Sequence, residues 1–369
     1  MSNRRNLPIG RNNTHFVLGA VAAGLALALP RSSAWQKPLA AAAAFEFGMA
    51  LLRAPHPVDH LEEDADEAVA PELTRSAMID GVLMRWEEHG GGKGDDVPVV
   101  MVHGIPTNPR IWRYIIPRLM SGGVRCLAWE QVGFGWSLGE GLGRDISIPR
   151  QADYLRSWLR HLGIRRAVFV GHDVGGGVLQ ALLTTDPELF AGLVLADCVA
   201  YDNWPVPMVR QAQAMRGLIA RLPPALIKPI FLAALNNLGH DNPSRRPSRR
   251  KISAALLWEP YARPVGPPGL ANQLRHMSAY DTLRIGSRLR RLDVPARVVR
   301  GEEDPLGEWS GALLADTLGA RMRRIPGASH FTPEDHPDII AKEIQSVLRQ
   351  VAGNPGHASR TAEASAPLR

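Results

Sequence analysis

Asp173 stands in the run Val168-Phe169-Val170-Gly171-His172-Asp173-Val174-Gly175-Gly176-Gly177, which opens into Val178-Leu179-Gln180-Ala181-Leu182-Leu183. An apolar stretch that ends in Gly-x-Asp-x-Gly and continues as a second apolar run reads as strand, tight turn and helix. Glycines near the aspartate free the backbone to bend sharply, which stands the side chain at the apex clear of the sheet. A carboxylate presented this way has a restricted chemistry. Attacking a saturated carbon, it displaces a leaving group or opens an epoxide and leaves an alkyl ester, whose carbonyl carbon water then attacks. A serine in its place would form an ether with no carbonyl to hydrolyse. The same aspartate attacking a carboxylic ester would have to form a high-energy anhydride. The expected reactants are therefore a small apolar organic molecule, electrophilic at sp3 carbon, and water.

The strand, Gly-x-Asp-x-Gly turn and helix look like a nucleophile elbow with Asp where Ser is usual. On that segment the sequence resembles the α/β-hydrolase fold, and within it the aspartate-nucleophile branch of haloalkane dehalogenases, epoxide hydrolases and fluoroacetate dehalogenases. The resemblance extends over roughly residues 75 to 350 and includes His103-Gly104-Ile105-Pro106 followed by Trp112-Arg113, and Gly133-Phe134-Gly135-Trp136-Ser137. It implies a mostly parallel central sheet flanked by helices, with an inserted helical cap. It also implies an oxyanion hole made of the Ile105 and Val174 N–H groups. His103, beside a glycine turn, is expected to anchor loop backbone, and Trp112 and Arg113 to pack.

The other members of the constellation follow in chain order. Ala296-Arg297-Val298-Val299-Arg300 leads to Gly301-Glu302-Glu303-Asp304, which resembles the family's commonest acid position, so Asp304 is the expected acid. Asp197, at the end of Gly192 to Ala196, is the alternative acid. His330, in the loop after Arg321 to Ile325, is the expected base. Asp173, Asp304 and His330 thus run in the order nucleophile, acid, base. Many dehalogenases of this branch hold halide with Asn and Trp side chains where this chain has Ile105 and Val174. Donors for a leaving group must then come from the cap, with Tyr201, Trp204, Trp258, Tyr261 and Tyr280 as candidates. Halide asks for N–H donors; an epoxide oxygen asks for an acidic O–H. The leading expectation is a haloalkane dehalogenase-like hydrolase and the alternative an epoxide hydrolase. A second alternative is a membrane-tethered, non-catalytic protein that keeps the fold as a binding pocket. No cofactor and no metal are expected.

The elements that must position these residues divide the 369-residue chain, in which 45% of residues are hydrophobic. Residues 1–60 carry Arg4-Arg5 and Arg11 before an apolar run from Phe16 to Leu29, then a second from Leu39 to Leu52. Neither run reaches the ~20 residues of a membrane span, but together they read as a signal or membrane-associated segment. Export or membrane attachment is expected over a cytoplasmic location. An acidic linker at 61–75 precedes the hydrolase core, expected at 76–198 and 289–351, with the cap at 199–288 and a disordered tail at 352–369. Within the core, Ala77 to His89 reads as one strand and Arg150 to Leu162 as a helix. The formal charge of +7 is spread along the chain, apart from Arg245, Arg246, Arg249, Arg250 and Lys251. Without aromatic residues between them, these read as a solvated surface loop, and no nucleic-acid partner is expected. Cys126 and Cys198 lie in apolar runs and read as small core residues.

Overall fold

A computed structural model of the chain describes residues 75–91, 97–241 and 247–353, together with Pro38. The expectations for residues 1–60, for nearly all of the acidic linker, for Arg245 and Arg246, and for the tail beyond Gly353 lie outside the described residues. Among the described residues, no helix is long and apolar enough to cross a membrane.

Eight strands are described: β1 (Arg75–Ile79), β2 (Val82–His89), β3 (Val99–Val102), β4 (Cys126–Glu130), β5 (Ala167–His172), β6 (Phe190–Ala196), β7 (Ala296–Gly301) and β8 (Arg321–Ile325). They form one sheet in the order β1-β2-β4-β3-β5-β6-β7-β8. Only β2 runs against the others, pairing antiparallel with both β1 and β4. The mostly parallel sheet is as expected. The single strand expected over 77–89 is instead the hairpin β1–β2, because Asp80 and Gly81 both take positive φ, at 49° and 74°. An Asp-Gly pair in that conformation makes a two-residue turn whose twist matches the flanking strands.

The middle of the sheet is apolar on both faces. Every residue of β3, β5 and β6 is buried, as it must be where helices cover a parallel sheet from both sides. Val168, Phe169 and Val170 of β5 are fully buried, each worth about 1.5–3 kcal/mol relative to an exposed position. The covering helices of the core are α1 (Ile115–Met120), α2 (Ile148–His161) and α3 (Val174–Leu183). In α2, Leu155, Trp158 and Leu159 face the sheet, and Trp158 packs its ring edge-on to Trp86 at 5.8 Å. The helix α3 is buried along its whole length and sits unusually close to the strands. A Cβ at Gly175 would run into the Val102 and His103 carbonyl oxygens, so only glycine lets the first turn approach β3.

Between β6 and β7 the chain leaves the sheet and forms α4 (Pro207–Ala214), α5 (Pro224–Ala234), α6 (Pro247–Trp258), α7 (Gly266–His276) and α8 (Ala279–Gly286). Phe231, Trp258 and Tyr261 pack together here, with Phe231 at 5.2 Å from Trp258 and 4.8 Å from Tyr261. After β7 come α9 (Glu308–Leu318), β8 and the closing helix α10 (Pro337–Ala352), whose Ile340, Ala341, Ile344 and Val347 are buried.

The solvated reading of the arginine cluster is corrected for Arg249 and Arg250, which are 7% and 8% exposed on α6. Burial is tolerated because each guanidinium finds acceptors. Arg249 donates to the Glu334 carbonyl and lies 4.5 Å over the Tyr114 ring. Arg250 donates to the Asn236 carbonyl at 2.6 Å. Cys126 and Cys198 are both buried and free.

Candidate active site

The turn between β5 and α3 holds Asp173 at φ 51° and ψ −123°. A residue other than glycine in that region is strained, and surrounding structure must hold it there. The close approach of α3 to β3, permitted by Gly175, is part of that hold. The carboxylate is nearly buried, at 4% exposure. The Ile105 N–H donates to its Oδ2 at 2.7 Å, and the neighbouring Val174 N–H also favours the charged carboxylate. Burial raises the Asp173 pKa, outweighing the attraction of His330 and these two N–H donors. A Cβ at Gly104 would come within 2.4 Å of Asp173 Oδ2 and Cβ, so the loop after β3 can bring Ile105 this near only with glycine at 104.

That loop is fixed by His103. Its Nδ1 pairs with the Gly104 carbonyl at 2.9 Å, and its Nε2 accepts the Gln131 N–H at 3.1 Å. Burial pushes His103 down to about 4, so the ring is neutral and Nε2 is free to accept. His103 is thus the loop anchor expected of it. Arg113 is buried too and forms an ion pair with Glu334, tying the segment after Gly104 to the segment after His330.

His330 Nδ1 lies 3.0 Å from Asp304 Oδ1, and its Nε2 lies 3.8 Å from Asp173 Oδ1. The structure therefore brings Asp173, Asp304 and His330 together. Asp304 also accepts the Leu306 N–H at 3.1 Å and is 3.1 Å from Arg300. Burial alone would raise the Asp304 carboxyl, but the charge and hydrogen bond of His330, with Arg300 behind, hold it below the usual carboxylate value. For His330, burial disfavours the imidazolium, yet Asp304, Asp173 and Asp197 push it up to about 9.

Asp197, the alternative acid, does not touch the His330 ring. Its Oδ1 accepts the Gly301 N–H at 2.8 Å and its Oδ2 accepts the Thr332 hydroxyl. Burial, reinforced by repulsion from Asp304, pushes it up to about 8. It joins the end of β7 to the loop of His330 while leaving the ring to Asp304.

The five aromatic candidates of the insert differ in their surroundings. Tyr280 is 64% exposed, its ring stacked on Arg284 at the surface. The Tyr201 hydroxyl pairs with Thr317 at 3.0 Å, and its ring lies near Trp309 on α9. The Trp204 N–H donates to Thr282 at 2.8 Å. Tyr261 is buried and donates its hydroxyl to Gln273 at 3.0 Å, and burial raises its pKa. Trp258 is 7% exposed within the cluster with Phe231 and Tyr261.

Sequence reasoning missed two contributors to the site. His172 Nε2 lies 2.9 Å from the His330 carbonyl oxygen; its place one residue before Asp173 was the available signal. Residues 239–241 of the insert contact the loop on both sides of His330, and nothing in their spacing announces it.

A profile of the alpha/beta hydrolase family matches residues 99–343. The haloalkane dehalogenase of Mycobacterium marinum is 28% identical over 294 residues, covering 73% of this chain and 91% of that protein. An alpha/beta hydrolase fold protein from Burkholderia ambifaria superposes with a TM-score of 0.68 at 24% identity, over 76% of this chain and 99% of the other. The epoxide hydrolase CorEH superposes with a TM-score of 0.58 at 20% identity, over 76% and 98%.

Proposed function

The chain belongs to the alpha/beta hydrolase family, and from that premise we propose that it hydrolyses a small haloalkane through an alkyl ester on Asp173. The observation that carries this reading is the Asp173 carboxylate itself, held at the elbow by the Ile105 N–H with His330 beside it. Oδ1 faces His330 and Oδ2 sits on the Ile105 N–H. A carboxylate oxygen attacks the carbon that bears the halogen, the carbon–halogen bond breaks, and halide leaves with the bonding electrons. Water, losing a proton to His330 Nε2, then attacks the ester carbonyl carbon. The charge that develops on the carbonyl oxygen is met by the Ile105 and Val174 N–H groups. Collapse breaks the bond to the alkoxide, which takes the proton from His330 and leaves as the alcohol, and the carboxylic acid left at Asp173 loses its proton to solvent; Asp304 holds the imidazole throughout.

Epoxide opening is the reading this one must be weighed against, and the placement of the tyrosines supports halide. An epoxide oxygen stays attached to the product and needs an O–H donor. All five tyrosines lie in the described residues. Tyr154 donates to the Asp145 carbonyl, Tyr201 pairs with Thr317, and Tyr261 donates to Gln273. Tyr114 is packed between Arg113 and Arg249, and Tyr280 is at the surface. With Trp204 engaged by Thr282, Trp258 is the remaining indole of the insert to offer an N–H to halide.

Replacing His330 with Gln tests the reading directly. Alkylation does not use His330, while hydrolysis needs the base, so exposure to 1-bromobutane should add the butyl mass to the intact protein. Peptide mapping should place it on Asp173. An adduct on another residue, or none, would sink the assignment.

A further inference from the structure

Resting on that reading, we infer that Asp241 and the Gly239 carbonyl, both in the helical insert, position the base by holding the main chain on either side of His330. The Ser329 N–H donates to Asp241 Oδ1 at 2.6 Å, and the Phe331 N–H donates to the Gly239 carbonyl at 2.6 Å. From the core, His172 holds the His330 carbonyl oxygen at 2.9 Å. The two amides that set the tilt of the residue between them are thus bonded to the insert.

The surrounding contacts fasten the same segment to the turn that follows the base. Asp241 Oδ2 lies 2.7 Å from His336 Nε2, and the Asp241 N–H donates to Asp335 Oδ2 at 2.9 Å. His240 Nδ1 is 3.1 Å from Asp335 Oδ1. Gly239 has no room for a side chain, since a Cβ there would meet the Phe331 ring at 2.6–2.8 Å. Residues 239–241 of the insert and 329–336 of the core therefore form one hydrogen-bonded unit. A shift of the insert is transmitted to His330 through bonds rather than through loose packing. Because hydrolysis depends on where His330 Nε2 stands and alkylation does not, disturbing this unit should slow one half of the reaction alone.

The experiment is rapid-quench kinetics with 1-bromobutane, separating ester formation from ester hydrolysis, on the full chain and its variants. In Asp241→Ala, hydrolysis should fall about tenfold to a hundredfold, the scale of a base displaced by a fraction of its working distance. Ester formation should stay within about twofold. Asp241→Asn keeps an oxygen for the Ser329 N–H and should restore most of the hydrolysis rate. Gly239→Ala, which pushes on Phe331 instead, should show the same split, and it decides the matter if Asp241→Ala does not fold. Equal loss in both steps, or no loss in hydrolysis, overturns the inference. His330→Gln, run alongside, reports on the underlying reading. If it carries no adduct on Asp173, the nucleophile assignment fails, and hydrogen exchange over residues 326–333 then decides the positioning role. Exchange there must be faster in Asp241→Ala than in Asp241→Asn, and equal exchange overturns it.

Discussion

His330 Nε2 stands 3.8 Å from Asp173 Oδ1, outside hydrogen-bond reach, while its Nδ1 is bonded to Asp304 at 3.0 Å. A hydroxyl nucleophile would need its proton taken and would sit within about 3.2 Å of the base. A carboxylate needs no such help, so the wider separation leaves the imidazole available for water. The two faces of the ring's work are divided in space: one nitrogen is committed to Asp304 and the other is turned toward Asp173.

The first prediction concerns the acid. Asp304→Asn removes the carboxylate that fixes the tautomer of His330, and turnover should fall steeply, toward the ~10⁴-fold loss seen when a triad acid is neutralised. Asp197→Asn should do far less, because Asp197 bonds the Gly301 amide and the Thr332 hydroxyl and leaves the ring alone. Steady-state kcat for the two variants checks this, and a reversed ranking would move the acid to Asp197.

A second prediction follows from the charge on His330. Its pKa is pushed up to about 9 against an ordinary 6.5, so the folded state binds this proton more tightly than the unfolded chain. The stabilisation is full below pH 6.5 and is lost as pH rises through 9. Its size is on the order of 3 kcal/mol, the free energy of carrying the pKa from 6.5 to about 9. Urea unfolding at pH 6, 7.5 and 9.5 should show stability declining over that window, and His330→Gln should flatten the decline. The same ion pair appears in the lowered Asp304 carboxyl, whose contribution is lost at the acid end as pH falls. It is one interaction and counts once. In the proposed mechanism, ester formation removes the Asp173 charge that helps keep the proton on His330. The ascending limb for hydrolysis should therefore lie below pH 9, and a limb at or above 9 would argue against Asp173 as the group alkylated.

Much of this arrangement was readable from the sequence because it depends on local signals. Asp173 and Asp304 follow apolar strands at glycine-bearing turns, and His330 lies in a glycine-bearing loop after β8; the chain order of the three suffices to nominate them. The parallel sheet was readable for the same reason, since fully buried strands such as β3 and β5 are continuously apolar. What escaped depends on contacts between distant segments. Arg249 and Arg250 are buried because Glu334, Tyr114 and Asn236 await them, and no spacing within 245–251 encodes those partners. Tyr280 is a plausible donor by type, yet its place on α8 turns it outward. The hairpin at Asp80-Gly81 is a different kind of miss, since its turn signal was present and was overridden by the apolar pattern on either side.

The third prediction tests how closely the two loops of the site are fitted. Gly104→Ala places a methyl 2.4 Å from Asp173 Oδ2 and Cβ, and the carboxylate cannot move away without disturbing its bond to the Ile105 N–H. The variant should fold, since the rest of the segment stays anchored by His103 and Arg113. It should nevertheless lose at least about a hundredfold in ester formation, the scale of a misplaced reacting group. Circular dichroism and single-turnover alkylation read the two separately. Near-normal alkylation would mean that Asp173 does not work from the position seen here.

The last prediction decides between leaving groups. Expelling halide needs N–H or aromatic donors and no proton, whereas opening an epoxide leaves an alkoxide that must be protonated as it forms. Tyr261 is buried and donates its hydroxyl to Gln273, which in turn donates to the Gly133 carbonyl at 2.8 Å. A proton so engaged, on a phenol whose pKa burial has raised, is poorly placed to be given up. Tyr280, the other candidate, faces solvent. A haloalkane panel assayed with the purified protein should therefore release halide, and an epoxide panel should show no turnover above background. Tyr261→Phe and Tyr280→Phe should leave halide release within about threefold, while Trp258→Phe should lower it by about tenfold or more, the loss of one charge-assisted donor. Epoxide turnover that Tyr261→Phe abolishes, with no halide released from any haloalkane, would reverse the assignment and make Tyr261 the acid that serves Asp173.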